Sequence, residues 1–274
     1  MKKKSDLNGT ENDIFSKNET TLESDGKNRR IVKWRFYVNN FPTFFAKFLF
    51  KYLPFLRSIE TSLRFSHMYK QNFGNIKFQG QYFQDMLAYL FFQKKKEGFF
   101  IDIGANDGIT GSNTYIFEQV GWHGVCIEPN PVVYSVLKKY RKCKCYNIAL
   151  SSATNEDVDF FKAKANALSG LCEGMSESHK QWAGEYGKTE VIKVKTMTFE
   201  QIMADFPEVK HIDFMSIDVE GHEIPILQTI NFQKYTFGLL TIEMSDSEKI
   251  KEIMSKNGYK VFMEIGEDTM FIPQ

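Results

Sequence analysis

The 274-residue chain holds four cysteines and seven prolines, a net charge of only +1, and no long apolar run. Each shortage excludes something. A membrane-spanning helix needs about 18 or more consecutive apolar residues, and no segment supplies them. Lys2, Lys3 and Lys4 open the chain, but polar and acidic residues follow where a secretion signal needs an apolar stretch. The cysteines are Cys126, Cys143, Cys145 and Cys172. Cys126 lies in an apolar run, and the spacing of Cys143 and Cys145 is too tight for the usual zinc knuckle or an easy disulfide. All four are read as reduced thiols of a cytoplasmic protein, with no metal assigned. The G-x-G-x-x-G spacing that cradles a pyrophosphate is missing as well.

The small net charge conceals an uneven distribution. Residues 1–30 carry 7 basic and 6 acidic side chains with few large apolar ones, and are expected to be disordered. Residues 31–78 carry 8 basic and 1 acidic, interleaved with Trp34, Phe36, Tyr37, Phe41, Phe44, Phe45, Phe48 and Phe55. Apolar residues there recur at three- and four-residue intervals between Pro42 and Pro54, which predicts a basic aromatic helical extension. Such a face can lie on an anionic membrane surface through residues 31–65 at the inner side of a membrane. It can equally pack on the rest of the chain or on a second copy, or hold an anionic carrier-linked substrate. No nucleic-acid-binding motif accompanies it. The remaining 196 residues hold 20 basic and 27 acidic side chains, so a basic segment precedes an acidic domain at 79–274.

Within that domain, apolar runs alternate with helical patterns. Helices are expected at 84–96, 112–120, 131–140, 198–205, 223–231 and 246–257. Strands are expected at 98–103, 123–127, 143–149, 211–218 and 238–243, with a closing hairpin of 258–265 and 268–272. Strand-like runs at 156–162 and 190–197, with a loop between them, interrupt the alternation. The pattern argues for an α/β fold built on a doubly wound, mostly parallel sheet.

Three strand ends carry the chemistry. Phe99-Phe100-Ile101-Asp102-Ile103-Gly104-Ala105-Asn106-Asp107-Gly108 reads as a buried strand ending in a carboxylate, then a turn spaced D-x-G-x-x-x-G. Glycine after such a strand lets the main chain turn and a ligand come close. The carboxylate repels phosphate and welcomes a cation or a hydroxyl, which points to S-adenosylmethionine. Val125-Cys126-Ile127-Glu128 is a second strand ending in a carboxylate, 24 positions after Gly104. An acidic residue at about this distance accepts hydrogen bonds from ribose hydroxyls in doubly wound folds; otherwise Glu128 is a solvated residue opening the turn Pro129-Asn130-Pro131. The third end, Ser216-Ile217-Asp218-Val219-Glu220-Gly221-His222-Glu223, places Asp218, Glu220 and His222 at alternate positions, facing the same cleft.

These residues resemble the FkbM family of S-adenosylmethionine-dependent methyltransferases. The likeness is carried by the segment from Gly98 to Gly108, Ser112-Asn113-Thr114-Tyr115, Gly121-Trp122 with Gly124, Glu128-Pro129-Asn130-Pro131, and Ser216 to Glu223. Gln81-Tyr82-Phe83-Gln84-Asp85 is similar to the family's S-Q-x-G-Q-D segment, with Gly80 in place of its serine and Phe83 in place of its glycine. The resemblance runs from about residue 79 to 272. It implies the seven-stranded sheet of class I, Rossmann-like methyltransferases, and oxygen acceptors that include sugars and polyketides. It also implies cofactor contacts from Asp85, Asp102, Gly104, Asn106, Gly108, Asn113, Glu128 and Asp218, with Asp102 toward the methionine ammonium.

The expected reaction is transfer of the cofactor's methyl to a hydroxyl of a sugar, glycan or related metabolite, as in polysaccharide biosynthesis. His222 suits the general base, since imidazole titrates near neutrality; otherwise it is a polar start to the next helix. Asp218 and Glu220 can orient that imidazole, touch the cofactor's ammonium, or join Glu243 around a divalent cation, which is not assigned. The segment from Asn166 to Tyr186, with His179 and Trp182, is expected to cover the acceptor. Two other readings stay open: a binding module that keeps the fold without turnover, and a nucleotide-cofactor enzyme such as a dehydrogenase.

Overall fold

The structure, a computed structural model, describes residues 69–70, 73–154 and 156–274. The expected tail at 1–30 and nearly all of the basic aromatic extension lie outside them. Among the described residues no helix is long and apolar enough to cross a membrane.

The main elements, in chain order, begin with α1 (Gln84–Phe91), β1 (Phe99–Ile103), α2 (Tyr115–Gln119), β2 (His123–Ile127) and α3 (Pro131–Tyr140). There follow β3 (Lys144–Tyr146), β4 (Ala149–Leu150), β5 (Asp157–Lys162), β6 (Gly170–Leu171), α4 (Glu177–Glu185) and β7 (Glu190–Met197). The chain closes with α5 (Phe199–Met203), β8 (His211–Ile217), α6 (Glu223–Thr229), β9 (Thr236–Glu243), α7 (Ser247–Lys256), β10 (Tyr259–Ile265) and β11 (Asp268–Pro273).

Seven strands form the central sheet in the order β10-β11-β9-β8-β1-β2-β3. All neighbours pair in parallel except β11, which is antiparallel to both β9 and β10. This is the expected doubly wound, mostly parallel, Rossmann-like sheet. The strand order turns back on itself at β1, between β2 and β8, and ligands of open α/β sheets bind at the carboxyl ends there.

Alternation along β1 divides the two faces. Ile101 and Ile103 join a buried cluster with Phe199 and Ile202 of α5, Ile226 and Leu227 of α6, and Ile250 and Met254 of α7. On the other face Phe117 of α2 packs against Trp122 and Phe214, with ring centroids 4.4 and 5.1 Å apart. Phe92, just after α1, joins them edge-on.

The expected boundaries of β2 and α3 match those observed, and α3 shows why. Asn130 caps it by accepting from the Val132 amide at 3.1 Å, and Pro131 fills its first turn. Helix α1 is shorter than expected. Gln93 and Lys94 adopt positive φ, the Trp122 indole donates to the Lys95 carbonyl, and the Lys95 ammonium pairs with Asp213 at 2.7 Å. The helix expected at 112–120 begins later because the Ser112 side chain accepts from the amides of Thr114 and Tyr115.

The strand expected at 143–149 is broken. The Asn147 side-chain amide donates to the carbonyls of Glu128 and Pro129, both at 2.9 Å, and the chain leaves the central sheet. Beyond it lies a second, four-stranded sheet in the order β4-β7-β5-β6. The segment read as a loop through residue 188 contains β6 and helix α4, which Ser176 caps by accepting from the His179 amide.

Candidate functional site

The three strand ends meet as their spacing predicts, in a cleft of about 970 Å³, counting the open space at its mouth. Asp102, Gly104, Asn106, Asn113 and Glu128 line it from the β1 and β2 side. Ser216, Asp218, Glu220 and His222 line it from the β8 side.

Gly104 sits where the ends of three strands converge. Its amide donates to the Ile127 carbonyl at 3.0 Å, and the Asp218 amide donates to Ile103. Its φ is +85°, and a methyl on its Cα would come within 2.8 Å of the Asp218 carbonyl carbon and closer still to the oxygen. Only glycine fits here.

Glu128 is 7% exposed and organises both turns around it. One carboxylate oxygen accepts from the Asn106 amide at 3.0 Å, and the other from the Asn130 amide at 2.8 Å. Burial pushes this carboxyl up to about 7, against the pull of those two amides. Each oxygen keeps a further lone pair for a ligand hydroxyl. Asn106 holds φ +48°, a left-handed conformation that asparagine tolerates.

Asp102 is held from behind. Its Oδ2 accepts from the Thr114 hydroxyl at 2.5 Å and the Ser112 hydroxyl at 3.4 Å, and lies 3.7 Å from the Arg141 guanidinium. Burial raises its pKa, while the Arg141 charge and the hydroxyls counter it. Asn113 donates to the Ser216 hydroxyl across β1, leaving its buried Oδ1 without a partner.

The β8 end differs from the extended pattern read in the sequence. The strand stops at Ile217, and Glu220 and Gly221 take φ of +58° and +110°, so Asp218, Glu220 and His222 reach the cleft from a loop. Glu223 shapes that loop. Its carboxylate is fully buried and accepts from the amides of Val219 at 3.3 Å and Gly221 at 3.0 Å, and from the Ser245 hydroxyl.

Carboxylate oxygens of Asp218, Glu220 and Glu243 lie within 4.8 Å of one another. Asp218 is exposed to the cleft, while Glu220 and Glu243 are half-buried. Desolvation raises the pKa of all three, and repulsion adds to it: from Asp268 and Glu223 on Asp218, from Asp218 and Glu223 on Glu220, and from Asp218 and Glu220 on Glu243. His222 is 4% exposed, and neither ring nitrogen has a hydrogen-bond partner. Burial lowers its pKa, so the ring is neutral at physiological pH.

Two residues expected at the site stand outside it. Asp85 does not line the cleft; its carboxylate accepts from the amides of Gln79 and Met86 and braces the segment that brings Gln81 to the rim. Gly108 faces Leu137 and Arg141 instead. The second sheet, through Leu171, and the segment between β5 and β6, through Asn166 and Ser169, supply the remaining wall. His179 of α4 reaches Glu220 at 3.5 Å, whereas Trp182 is not among the lining residues.

The FkbM methyltransferase domain matches residues 102–261, more than half of the chain. The chain belongs to this family. The matched span of this FkbM-family methyltransferase contains every cleft residue named above except Gln81. No curated protein matches the sequence.

Solved structures with a similar fold include a TehB-like S-adenosylmethionine-dependent methyltransferase from Corynebacterium glutamicum. That structure is 10% identical, with 78% of this chain and 97% of that one covered and a TM-score of 0.38. Fibrillarin from Aeropyrum pernix, solved with S-adenosylmethionine bound, is 12% identical, with 69% and 71% covered and a TM-score of 0.36. A methyltransferase from Pyrococcus furiosus is 15% identical, with 77% and 94% covered and a TM-score of 0.33. Likeness at this level carries no argument about ligand or substrate.

Proposed function

We propose that this methyltransferase uses S-adenosylmethionine and methylates a hydroxyl of a sugar, glycan or related metabolite. The observation that carries the reading is the composition of the cleft. Its polar groups are carboxylates, amides, hydroxyls and one neutral imidazole, set among apolar side chains such as Ile127, Leu150 and Phe160, and among the described residues no lysine or arginine lines it. Such a lining disfavours a pyrophosphate, and with it a dinucleotide. It suits a cationic cofactor without phosphate and an acceptor rich in hydroxyls.

The bound cofactor would supply a methyl on a sulfonium, with a neutral thioether as leaving group. The chain's residues do the rest. Glu128 is placed to accept from the ribose hydroxyls with the lone pairs that Asn106 and Asn130 leave free. Asp102 and Asp218 flank Gly104 and offer negative charge to the methionine ammonium. His222, neutral and unpartnered, is available to take the acceptor's proton as its oxygen attacks. Glu220 and Asp218 are placed to accept from neighbouring hydroxyls and fix the orientation of the acceptor.

Calorimetric titration with S-adenosylhomocysteine tests this reading, with Glu128→Ala and NADH as separate arms. Binding lost in the variant supports the cofactor site, and a labelled-methyl screen of sugar acceptors then tests the reaction. Binding of NADH instead would favour a dehydrogenase. Tight binding with no turnover on any acceptor would favour a module that has lost catalysis. A cytoplasmic location with peripheral membrane contact through residues 31–65, and a homodimer, remain part of the proposal; co-sedimentation with anionic vesicles and light scattering test them.

A further inference from the structure

We propose that Arg141 is the positioning residue of the cofactor loop, an inference that rests on the S-adenosylmethionine reading above. Arg141 follows the last turn of α3, and its side chain is wholly buried. A buried guanidinium is costly unless its donors and its charge are matched.

Here the matches come from the segment that runs from β1 to the end of α2. Nη1 donates to the Gly108 carbonyl at 3.1 Å and to the Ser112 hydroxyl at 3.3 Å. Nη2 donates to the Thr114 hydroxyl at 3.0 Å, and Nε to Glu118 at 3.3 Å. The plane lies between the rings of Phe100 and Tyr115, at 5.2 and 5.8 Å. Burial pushes Glu118 up, but the Lys142 amide and the Arg141 charge outweigh it and hold it below the usual carboxylate range.

The consequence reaches the cleft through other residues. Gly108 does not line the cleft, yet its amide closes the turn that carries Asn106 by donating to the Ala105 carbonyl at 2.9 Å, while its carbonyl accepts from Arg141. Thr114 binds Arg141 and Asp102 at once, so the same guanidinium fixes the carboxylate at the end of β1. Ser112, the other hydroxyl in this network, adjoins Asn113, which lines the cleft. A lysine ammonium is a point charge and cannot reproduce this fork.

The test uses the full chain. Affinity for S-adenosylhomocysteine and the KM for S-adenosylmethionine are measured for wild type, Arg141→Lys and Asp213→Asn. Asp213 holds Lys95 and the Phe99 amide at the opposite end of β1, so its variant reports general loss of stability. Arg141→Lys is expected to weaken binding at least tenfold and to raise KM more than it lowers kcat, while Asp213→Asn stays within twofold. Arg141→Ala is then tested with ethylguanidinium, which should restore binding where ethylammonium does not. If Arg141→Ala fails to fold, the lysine variant still decides the matter. Binding by Arg141→Lys equal to wild type would overturn the proposal while leaving the cofactor reading intact. No binding by folded wild type would overturn both.

Discussion

Replacing Gly104 by alanine separates two costs that usually arrive together. The first is conformational: φ of +85° is unfavourable for a residue with a Cβ, by about 1–2 kcal/mol. The second is steric. The new methyl would overlap the Asp218 carbonyl, a backbone group just past the β1–β8 pairing, in a residue whose amide is tied to the Ile103 carbonyl. Overpacking of this kind costs about 1–3 kcal/mol. The sum, about 2–5 kcal/mol, corresponds to a fall in Tm of roughly 4–20 °C for a domain of this size. Gly258 provides the comparison, because its φ is +84° and a Cβ there would meet nothing within 4 Å. Gly258→Ala should therefore lose only the conformational part, about 2–8 °C, and keep its affinity for S-adenosylhomocysteine. Gly104→Ala should lose more than tenfold, because the strand ends must part to admit the methyl. Thermal unfolding and calorimetry of the two variants side by side measure both effects. Equal losses of Tm, or unchanged affinity in Gly104→Ala, would refute the account of the converging strand ends.

Further expectations follow from the buried titratable groups. The folded-state pKa of Glu128 is raised from 4.5 to about 7, so the native state holds the proton more tightly than the unfolded one. Its contribution to stability therefore falls as pH rises from about 4.5 to about 7, by on the order of 3 kcal/mol. Unliganded protein should gain Tm between pH 8 and pH 6, and Glu128→Gln should flatten that rise; a steady fall in wild type over this range would contradict the burial argument. Affinity for S-adenosylhomocysteine should run the other way, weakening below about pH 7 as Glu128 takes up its proton and loses acceptor capacity. His222→Leu removes two buried nitrogens without partners, so its stability should hold within about 1 kcal/mol while turnover drops ~10²–10⁴-fold. Turnover within threefold of wild type would remove His222 from the mechanism. Thr114→Val should weaken cofactor binding through Asp102 and Arg141 together, and less than additively when combined with Arg141→Lys, as a double-mutant cycle on affinity would show.

The strands of the central sheet, and the ends that bear Asp102, Glu128 and Asp218, were readable in the sequence because buried parallel strands announce themselves as apolar runs; the seven-stranded sheet was implied by the family resemblance alone. Helix α4 was not, because Ala183 is its only buried residue and its sequence lacks a clear apolar stripe. The break after β3 depends on one asparagine side chain bonding two carbonyls some eighteen residues earlier, a long-range event with no local mark. Arg141 sits in the run Lys138-Lys139-Tyr140-Arg141-Lys142, which reads as a solvated basic face; nothing in that run distinguishes the one cation that is buried. Asp85 was misplaced for the converse reason. Its segment matched a family pattern, but the pattern does not tell a residue that touches the ligand from one that braces the segment.

One seam near the cleft has a consequence for how this enzyme can change. The turn following β6 meets the loop after β8 through main chain alone: a Cβ on Gly174 would come within 2.7 Å of the Gly221 carbonyl oxygen. Side chains of α4 that do not touch the loop after β8, unlike His179, can thus be exchanged without disturbing that joint. On the proposed reading the same chassis could be refitted for a new acceptor by editing one insertion, while Gly174 and Gly221 stay fixed as the weld between the interchangeable part and the permanent one.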